Sequence, residues 1–365
     1  MKILIGGLAR TGTTGLFYLI ANSIGYKPKL LFEATECPEN LESESKDILA
    51  KVLIGSKLNA ASFSNFDKKI TLVRDPRDRI VSSMLYSQYH ASYLLDDERV
   101  RAVRDMLEQK EASPSSVSIR EILEVMGKMT GKSNAAALQQ KAARMSLALF
   151  DNYVKTIPDG LLYRYEDFVW EKYYPLEKHL GIPLMGVAEV PRRVERVIRT
   201  KRSGGWRDWF TEEDIRAYRP LLAAWLEKYG YDAEDWALNA KPFIRPEHCS
   251  AYFMRLVNEQ RERNFCKAKI LRAEPRVVAG WAFGSDPRQP IRVALLVKGN
   301  EVAQAVADKP SPGLKEKGLH PTGNCGFAFR FEPGTALQVG DQVSVRRVDS
   351  EFKVNNAARA VVAAS

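Results

Sequence analysis

Residues Lys2 to Gly6 (KILIG) form an unbroken, mostly β-branched apolar run, punctuated by Gly6-Gly7 and Gly12, and from Thr13 to Ile24 apolar residues recur at helical spacing. A short buried strand, a glycine turn and a helix in direct succession constrain the fold strongly, because that unit needs a covered sheet to sit in. The turn is Gly7-Leu8-Ala9-Arg10-Thr11-Gly12-Thr13-Thr14. In this context backbone N–H groups at a helix start converge on an anion, and the helix dipole adds to their effect. The Gly7-to-Gly12 spacing is that of a P-loop, but Thr13 stands where a kinase or ATPase carries Lys. The cation, Arg10, comes three positions earlier.

Two further apolar runs, Val52 to Lys57 (VLIGSK) and Ile70 to Arg74 (ITLVR), and a fourth, Leu161 to Tyr165 (LLYRY), predict parallel strands. Helical stretches lie between them, notably Asp75 to Tyr89 and Asn134 to Ile157. The alternation predicts an α/β fold: a P-loop-containing three-layer domain with a central parallel sheet over residues 1–245. A helical connector is expected over 246–264. Beyond it, Val277 to Gly284, Ile291 to Lys298, Glu301 to Asp308, Cys325 to Glu332 and Gln342 to Val348 alternate and are separated by Gly/Pro/Asn clusters. Residues 265–365 therefore read as a small C-terminal antiparallel β-sandwich, with Gly299-Asn300 as a two-residue hairpin turn.

Apolar residues at 45% and charged residues at 27% of 365 exclude a disordered chain. The net charge of +10 suits an anionic ligand. With no dense Lys/Arg tract and no basic stripe interleaved with aromatics, the ligand is not read as nucleic acid. Cys37, Cys249, Cys266 and Cys325 have no regular spacing, and no signal peptide is apparent, which predicts reduced thiols and a cytoplasmic location. His90, His179, His248 and His320 are dispersed, so no metal site is expected, and His90 is read as incidental. No apolar stretch approaches the ~20 residues of a transmembrane helix. Peripheral membrane contact and a homodimer stay compatible with the sequence.

Leu72-Val73-Arg74-Asp75-Pro76-Arg77-Asp78-Arg79-Ile80-Val81-Ser82 places Arg74 at a strand's C-terminal end, where open α/β sheets bind ligands. Asp75 suits a helix cap and Pro76 its first turn, and Ser82 lies two turns on, so Arg74 and Ser82 can address one anion. Together with the first loop, these residues resemble the sulfotransferases that use 3′-phosphoadenosine 5′-phosphosulfate (PAPS). Arg10-Thr11-Gly12-Thr13-Thr14 is similar to their 5′-phosphosulfate loop, and Arg74 to Ser82 to their 3′-phosphate motif. Tyr163-Arg164-Tyr165-Glu166-Asp167 resembles their strand-ending Tyr-Glu-Asp, which implies Tyr165 near adenine. Lys201-Arg202-Ser203-Gly204-Gly205-Trp206 resembles the late loop that closes over the 3′-phosphate, implying Lys201 or Arg202, with Gly204, as donor ligands. The resemblance covers about residues 1–235 and implies PAPS as donor, with no metal.

The sequence departs from the family's cytosolic members at Arg10, where they usually carry Lys and many carbohydrate-acting members Arg, in a contracted late loop, and at two further places. Gly15 stands where cytosolic members carry an aromatic that stacks on adenine, and Ser56-Lys57-Leu58 follows the second expected strand without their histidine. Glycan-acting relatives use a glutamate soon after the first helix, which implies Glu33 as acceptor base, with Glu36 as the alternative. The apolar neighbours of Glu33 are expected to raise its pKa. Lys57, at an expected strand end, is a candidate to assist with sulfuryl charge. The acceptor pocket is expected within residues 86–150. Trp206 and Trp209 suit packing more than an acceptor cleft. The tail, with Gly280-Trp281-Ala282 and Gly326-Phe327-Ala328-Phe329, resembles accessory domains of bacterial glycosyltransferases and sulfotransferases, which implies a saccharide or cell-surface glycan as acceptor. The rival readings are a P-loop kinase with Asp75 on Mg²⁺ and a non-catalytic nucleotide- or glycan-binding protein.

Overall fold

The first apolar run forms β1 (Lys2–Gly7), the central strand of a five-stranded sheet, and leads into α1 (Thr13–Ser23). The structure, a computed structural model, describes residues 1–39, 47–91, 94, 96–185, 188–348 and 357–363. β2 (Lys29–Phe32), β3 (Ile48–Leu53), β4 (Lys68–Val73) and β5 (Leu161–Arg164) complete the sheet in the order β2-β3-β1-β4-β5, every pair parallel. Between β4 and β5 come α2 (Pro76–Ser87), α3 (Asp97–Ala112), α4 (Ile119–Met129) and α5 (Ala135–Thr156). After β5 follow α6 (Tyr165–Val169), α7 (Tyr174–Leu180), α8 (Trp206–Trp209), α9 (Glu212–Lys228) and α10 (Ser250–Asn264).

Side chains alternate across a strand, so each face of the sheet collects every second residue. Ile3, Ile5, Leu49, Ile70 and Leu72 share one face and pack with Leu16, Phe17 and Ile20 of α1 and with Leu176 and Leu180 of α7. On the other face Tyr153 of α5 lies over Gly6, where a Cβ atom would come within 2.2 Å of its hydroxyl. Helices thus cover both faces, as the sequence alternation requires.

One strand is shifted from its expected place. The second apolar run was expected to pair over Val52 to Lys57, yet β3 is Ile48–Leu53 and the chain has left the sheet by Gly55. Lys51 disguises the strand, because a lysine inside an apolar run reads as its end. Here that lysine is buried, 1% exposed, and neutralised from a neighbouring strand end. The start of α2 follows expectation: the Asp75 carboxylate accepts a hydrogen bond from the Arg77 amide, and Pro76 occupies the first turn.

The chain divides into two compact units, Met1–Leu256 and Val257–Ser365. The second contains β6 (Lys267–Glu274), β7 (Val277–Phe283), β8 (Arg292–Val297), β9 (Asn300–Val306), β10 (Lys309–Pro310), α11 (Pro312–Glu316), β11 (Asn324–Arg330), β12 (Gln342–Arg347) and β13 (Ala357–Ala360). Two antiparallel sheets, β10-β11-β7-β6 and β13-β12-β8-β9, share one core. Val278, Phe327 and Phe329 of the first meet Val293, Leu295, Val343 and Val345 of the second, which makes a sandwich. The hairpin between β8 and β9 turns on Lys298-Gly299, one residue earlier than expected: Val297 pairs with Asn300, and both turn residues have positive φ (50° and 86°). β6 escaped sequence reading because it is an edge strand interrupted by Lys267, Lys269, Arg272 and Glu274, the charges that protect such edges.

Candidate functional site

The turn after β1 is built so that α1 opens onto empty space. Gly12 caps the helix at φ 88°, and its missing side chain leaves room for the ring of Tyr165, whose Cδ2 would lie 2.4 Å from a Cβ there. Tyr165 begins α6, so the end of β5 is brought against the start of α1. Three residues on, Phe168 stands over Gly15, with its ring 3.1 Å from where a Cβ would be. The position that lacks an aromatic in sequence therefore has one from α6. The first intrahelical bond accepted at the cap is from the Leu16 amide to the Gly12 carbonyl, at 3.2 Å. The amides before it have no intrahelical carbonyl to pair with and point out of the helix end. Thr13 and Thr14 line the cavity there; Thr11 does not, its hydroxyl being spent on the Leu8 carbonyl at 2.7 Å.

Three guanidinium groups converge beside this turn. Arg10, in the left-handed region at φ 71°, donates from Nε to Ser82 Oγ (3.1 Å) and from Nη2 to the Val197 carbonyl (2.8 Å), and lies 4.2 Å above the Tyr86 ring. Arg74 donates to the Arg10 carbonyl at 2.9 Å and stacks 4.2 Å above Tyr165. Among the described residues its buried Nε has no hydrogen-bond partner. Arg199 donates to the His248 carbonyl at 3.2 Å, and among the described residues its buried Nε likewise has no hydrogen-bond partner. Burial lowers the pKa of Arg10, and the neighbouring Arg74 lowers it further. Burial also brings Arg199 down to about 10, with Arg74 and Arg10 adding to the effect against Asp78. Asp78 is the buried carboxylate that offsets this charge, and burial raises its own pKa. It accepts hydrogen bonds from the Gly204 amide (2.7 Å) and the Trp206 amide (2.9 Å), which fastens the late loop to α2. Like charges gathered out of water with unpaired donors are a site waiting for a polyanion.

A carboxylate–ammonium pair lines the same cavity. Glu33, just past β2 at φ 59°, accepts from Lys51 Nζ at 2.5 Å. The expected apolar surroundings of Glu33 are therefore replaced by a buried cation, itself 4.2 Å above the Phe32 ring. Burial lowers the Lys51 pKa and Glu33 opposes that shift. The cavity measures about 550 Å³ and its apolar wall includes Phe168, Tyr173, Leu184 and Ile198.

Among the sequence candidates, Arg10, Gly12, Thr13, Thr14, Glu33, Arg74, Tyr165 and Lys201 line this one cavity. Ser82 is buried behind it, bonded to Arg10. Arg202 lines a smaller neighbouring pocket instead, and Gly204 is tied to Asp78. Lys57 does not belong to the cavity lining: it sits exposed in the turn after β3, because that strand ends four residues before it. Glu36 is also exposed and outside the lining. His90 does reach the cavity wall, as does Tyr86. Of residues 86–150, 92, 93 and 95 lie outside those described. Lys51, Asp78 and Arg199 escaped sequence reading, although a lone lysine in an apolar strand and the basic run Arg199 to Arg202 were the available signals.

Among the described residues no cluster of three or more His, Cys, Asp or Glu side chains suits a metal ion, and no helix is long and apolar enough to cross a membrane. No protein-family profile and no curated protein matches the chain. Among solved structures, that of the mouse sulfotransferase SULT7A1 complexed with PAP overlaps 64% of this chain and 88% of its own, at 14% identity and a TM-score of 0.38. At that score the overlap carries no functional weight.

Proposed function

We propose that the chain is a sulfotransferase that moves the sulfuryl group of PAPS onto a hydroxyl or amine of a saccharide or glycan. The observation that carries this reading is the union, in one cavity, of an anion-binding helix start, the guanidiniums of Arg10 and Arg74, and the Glu33 carboxylate. Gly12, Thr13 and Thr14 would hold the 5′-phosphate. Arg74, Ser82 and Lys201 would hold the 3′-phosphate, with adenine against Tyr165 and Phe168. The acceptor lone pair attacks sulfur while the bond from sulfur to the 5′-phosphate oxygen breaks. The electron pair leaves on that oxygen, where Arg10 stabilises it. The acceptor proton passes to Glu33, and the products are the sulfated acceptor and adenosine 3′,5′-bisphosphate. Lys51, which holds Glu33, takes the electrostatic part assigned by sequence to Lys57.

The kinase reading needs Asp75 free for Mg²⁺. Instead its carboxylate receives Nε (3.0 Å) and Nη2 (2.8 Å) of Arg77, which is itself held between Trp206 and Trp236. Calorimetry should find adenosine 3′,5′-bisphosphate bound at least about tenfold more tightly than AMP, one charge-assisted phosphate contact being worth that much. Radiolabelled PAPS incubated with extracted cell-envelope material should then label a saccharide fraction. Tight bisphosphate binding without label transfer favours a non-catalytic protein, and a strict need for ATP and Mg²⁺ favours the kinase.

A further inference from the structure

Next to the main cavity, and sharing only Thr200 with its lining, is a second pocket of about 240 Å³. Arg199, Arg202, Arg245 and His248 line it, together with two carboxylates, Asp78 and Asp208. Both carboxylates are already committed. Asp78 receives the Gly204 and Trp206 amides, and Asp208 Oδ1 receives Asn239 Nδ2 (2.6 Å) and the Phe243 amide (3.2 Å). Arg202 and Arg245 are exposed, whereas among the described residues the buried Nε of Arg199 has no hydrogen-bond partner. The pocket therefore sets three guanidiniums against two carboxylates, and its one buried unpaired N–H, Arg199 Nε, is costly to leave so.

From this arrangement we infer a second oxyanion site, for a sulfate or phosphate group that is free or esterified to a sugar, held by Arg199, Arg202, Arg245 and His248. Two aromatic residues sharpen the ligand class. Trp209 is buried in the wall and Phe243 is 67% exposed, so a sugar ring carrying the anion has an apolar surface to rest on. Anion and ring together describe a sulfated or phosphorylated saccharide better than the bare ion. The site goes beyond the donor reading and does not need it: no atom of Arg74 or Ser82 is used. Occupancy would still be felt in the donor cavity, because Arg199 carries charge to both and Asp78 anchors the late loop between them.

His248 supplies the readout. Burial lowers its pKa, and Arg199, Arg202 and Arg245 lower it further, with only Glu247 acting the other way. An anion placed among these guanidiniums favours the imidazolium, so the His248 pKa should rise by about one unit or more. The experiment is an NMR titration of the histidine ring protons of the full chain, with His248 assigned through His248→Asn. The arms are inorganic sulfate and a monosaccharide 6-sulfate, each with and without saturating adenosine 3′,5′-bisphosphate. The expected result is a rise in the His248 pKa that persists with the nucleotide bound, and an affinity about tenfold weaker in Arg245→Ala. A sugar ester that binds more tightly than sulfate, with the advantage lost in Phe243→Ala, assigns the site to a saccharide. Equal affinities assign it to the free ion. If His248 is unmoved in both arms, or if the nucleotide abolishes the shift, the proposal is overturned; the second outcome would return these cations to the donor and leave the donor reading standing.

Discussion

At the scale of single residues the site turns on Arg10. Its backbone sits at φ 71°, where a non-glycine residue costs roughly 1–2 kcal/mol, and its side chain is held by Ser82, Val197 and Tyr86. A guanidinium so fixed is preorganised for charge that develops on a leaving oxygen. Arg10→Ala should therefore lower turnover about 10²–10³-fold while the circular dichroism spectrum stays that of the parent; near-parental turnover would remove Arg10 from the reaction. Glu33→Gln keeps the shape but cannot take a proton. It should abolish transfer and spare bisphosphate binding, whereas Glu36→Gln, altered at an exposed residue outside the cavity, should behave as the parent. Activity in both variants would mean an acceptor that needs no carboxylate base. The lysine of this pair shows where sequence reading fails: Lys51 looked like an interruption and Lys57 like a strand end. Only burial beside Glu33, a partner 18 residues away, distinguishes them.

At the scale of elements, α10 does more than connect. Tyr252, Phe253 and Leu256 are each at most 1% exposed. Tyr252 donates to the Arg196 carbonyl (3.0 Å) and Arg255 to that of Ile198 (2.6 Å). These bonds hold the segment whose Val197 carbonyl receives Arg10. A chain stopped at residue 245 should accordingly bind adenosine 3′,5′-bisphosphate at least tenfold more weakly, or lose solubility, since several fully buried side chains go with the cut. A chain stopped at 264 should bind as the full chain does. Equal binding by both would show that the helix is dispensable to the site. The sequence showed apolar runs at β1, β4, β5 and five strands of the tail, and α10, Ser250–Asn264, lies inside the stretch 246–264 expected to connect. The contribution of α10 was not legible, because the contacts join residues more than fifty positions apart. The same limit hid Arg199 and Asp78, whose roles exist only once α2 and the late loop are side by side.

At the scale of the whole molecule, one hydrophobic core among the described residues lies between the parallel sheet and its helices, and another lies within the sandwich. Separate cores predict separate cooperative unfolding. Differential scanning calorimetry should resolve two transitions. At a hundredfold excess over its Kd, adenosine 3′,5′-bisphosphate stabilises the unit that binds it by about 2.7 kcal/mol, a rise of roughly 5 °C or more in one transition only. A single transition moved as a whole would show that the units fold as one. The division into an α/β part and a sandwich was legible because hydrophobic period changes along the chain, and period is a local property. The cavity was legible only in part: its glycine turn and Arg74 are local motifs, whereas its lining is drawn from β3, α2, α6 and the segment before α8.

The contact of Tyr165 with Gly12 also bears on how such a chain can change over generations. A side chain at position 12 meets the tyrosine ring at 2.4 Å and must also adopt φ 88°. Substitution there fails twice, and shrinking residue 165 repairs only one of the failures. Drift at this pair is therefore ordered: residue 165 can vary first, but residue 12 cannot lead. Lineages that diverge in the ring should still share the glycine, and a descendant that has lost the glycine should have rebuilt the whole turn.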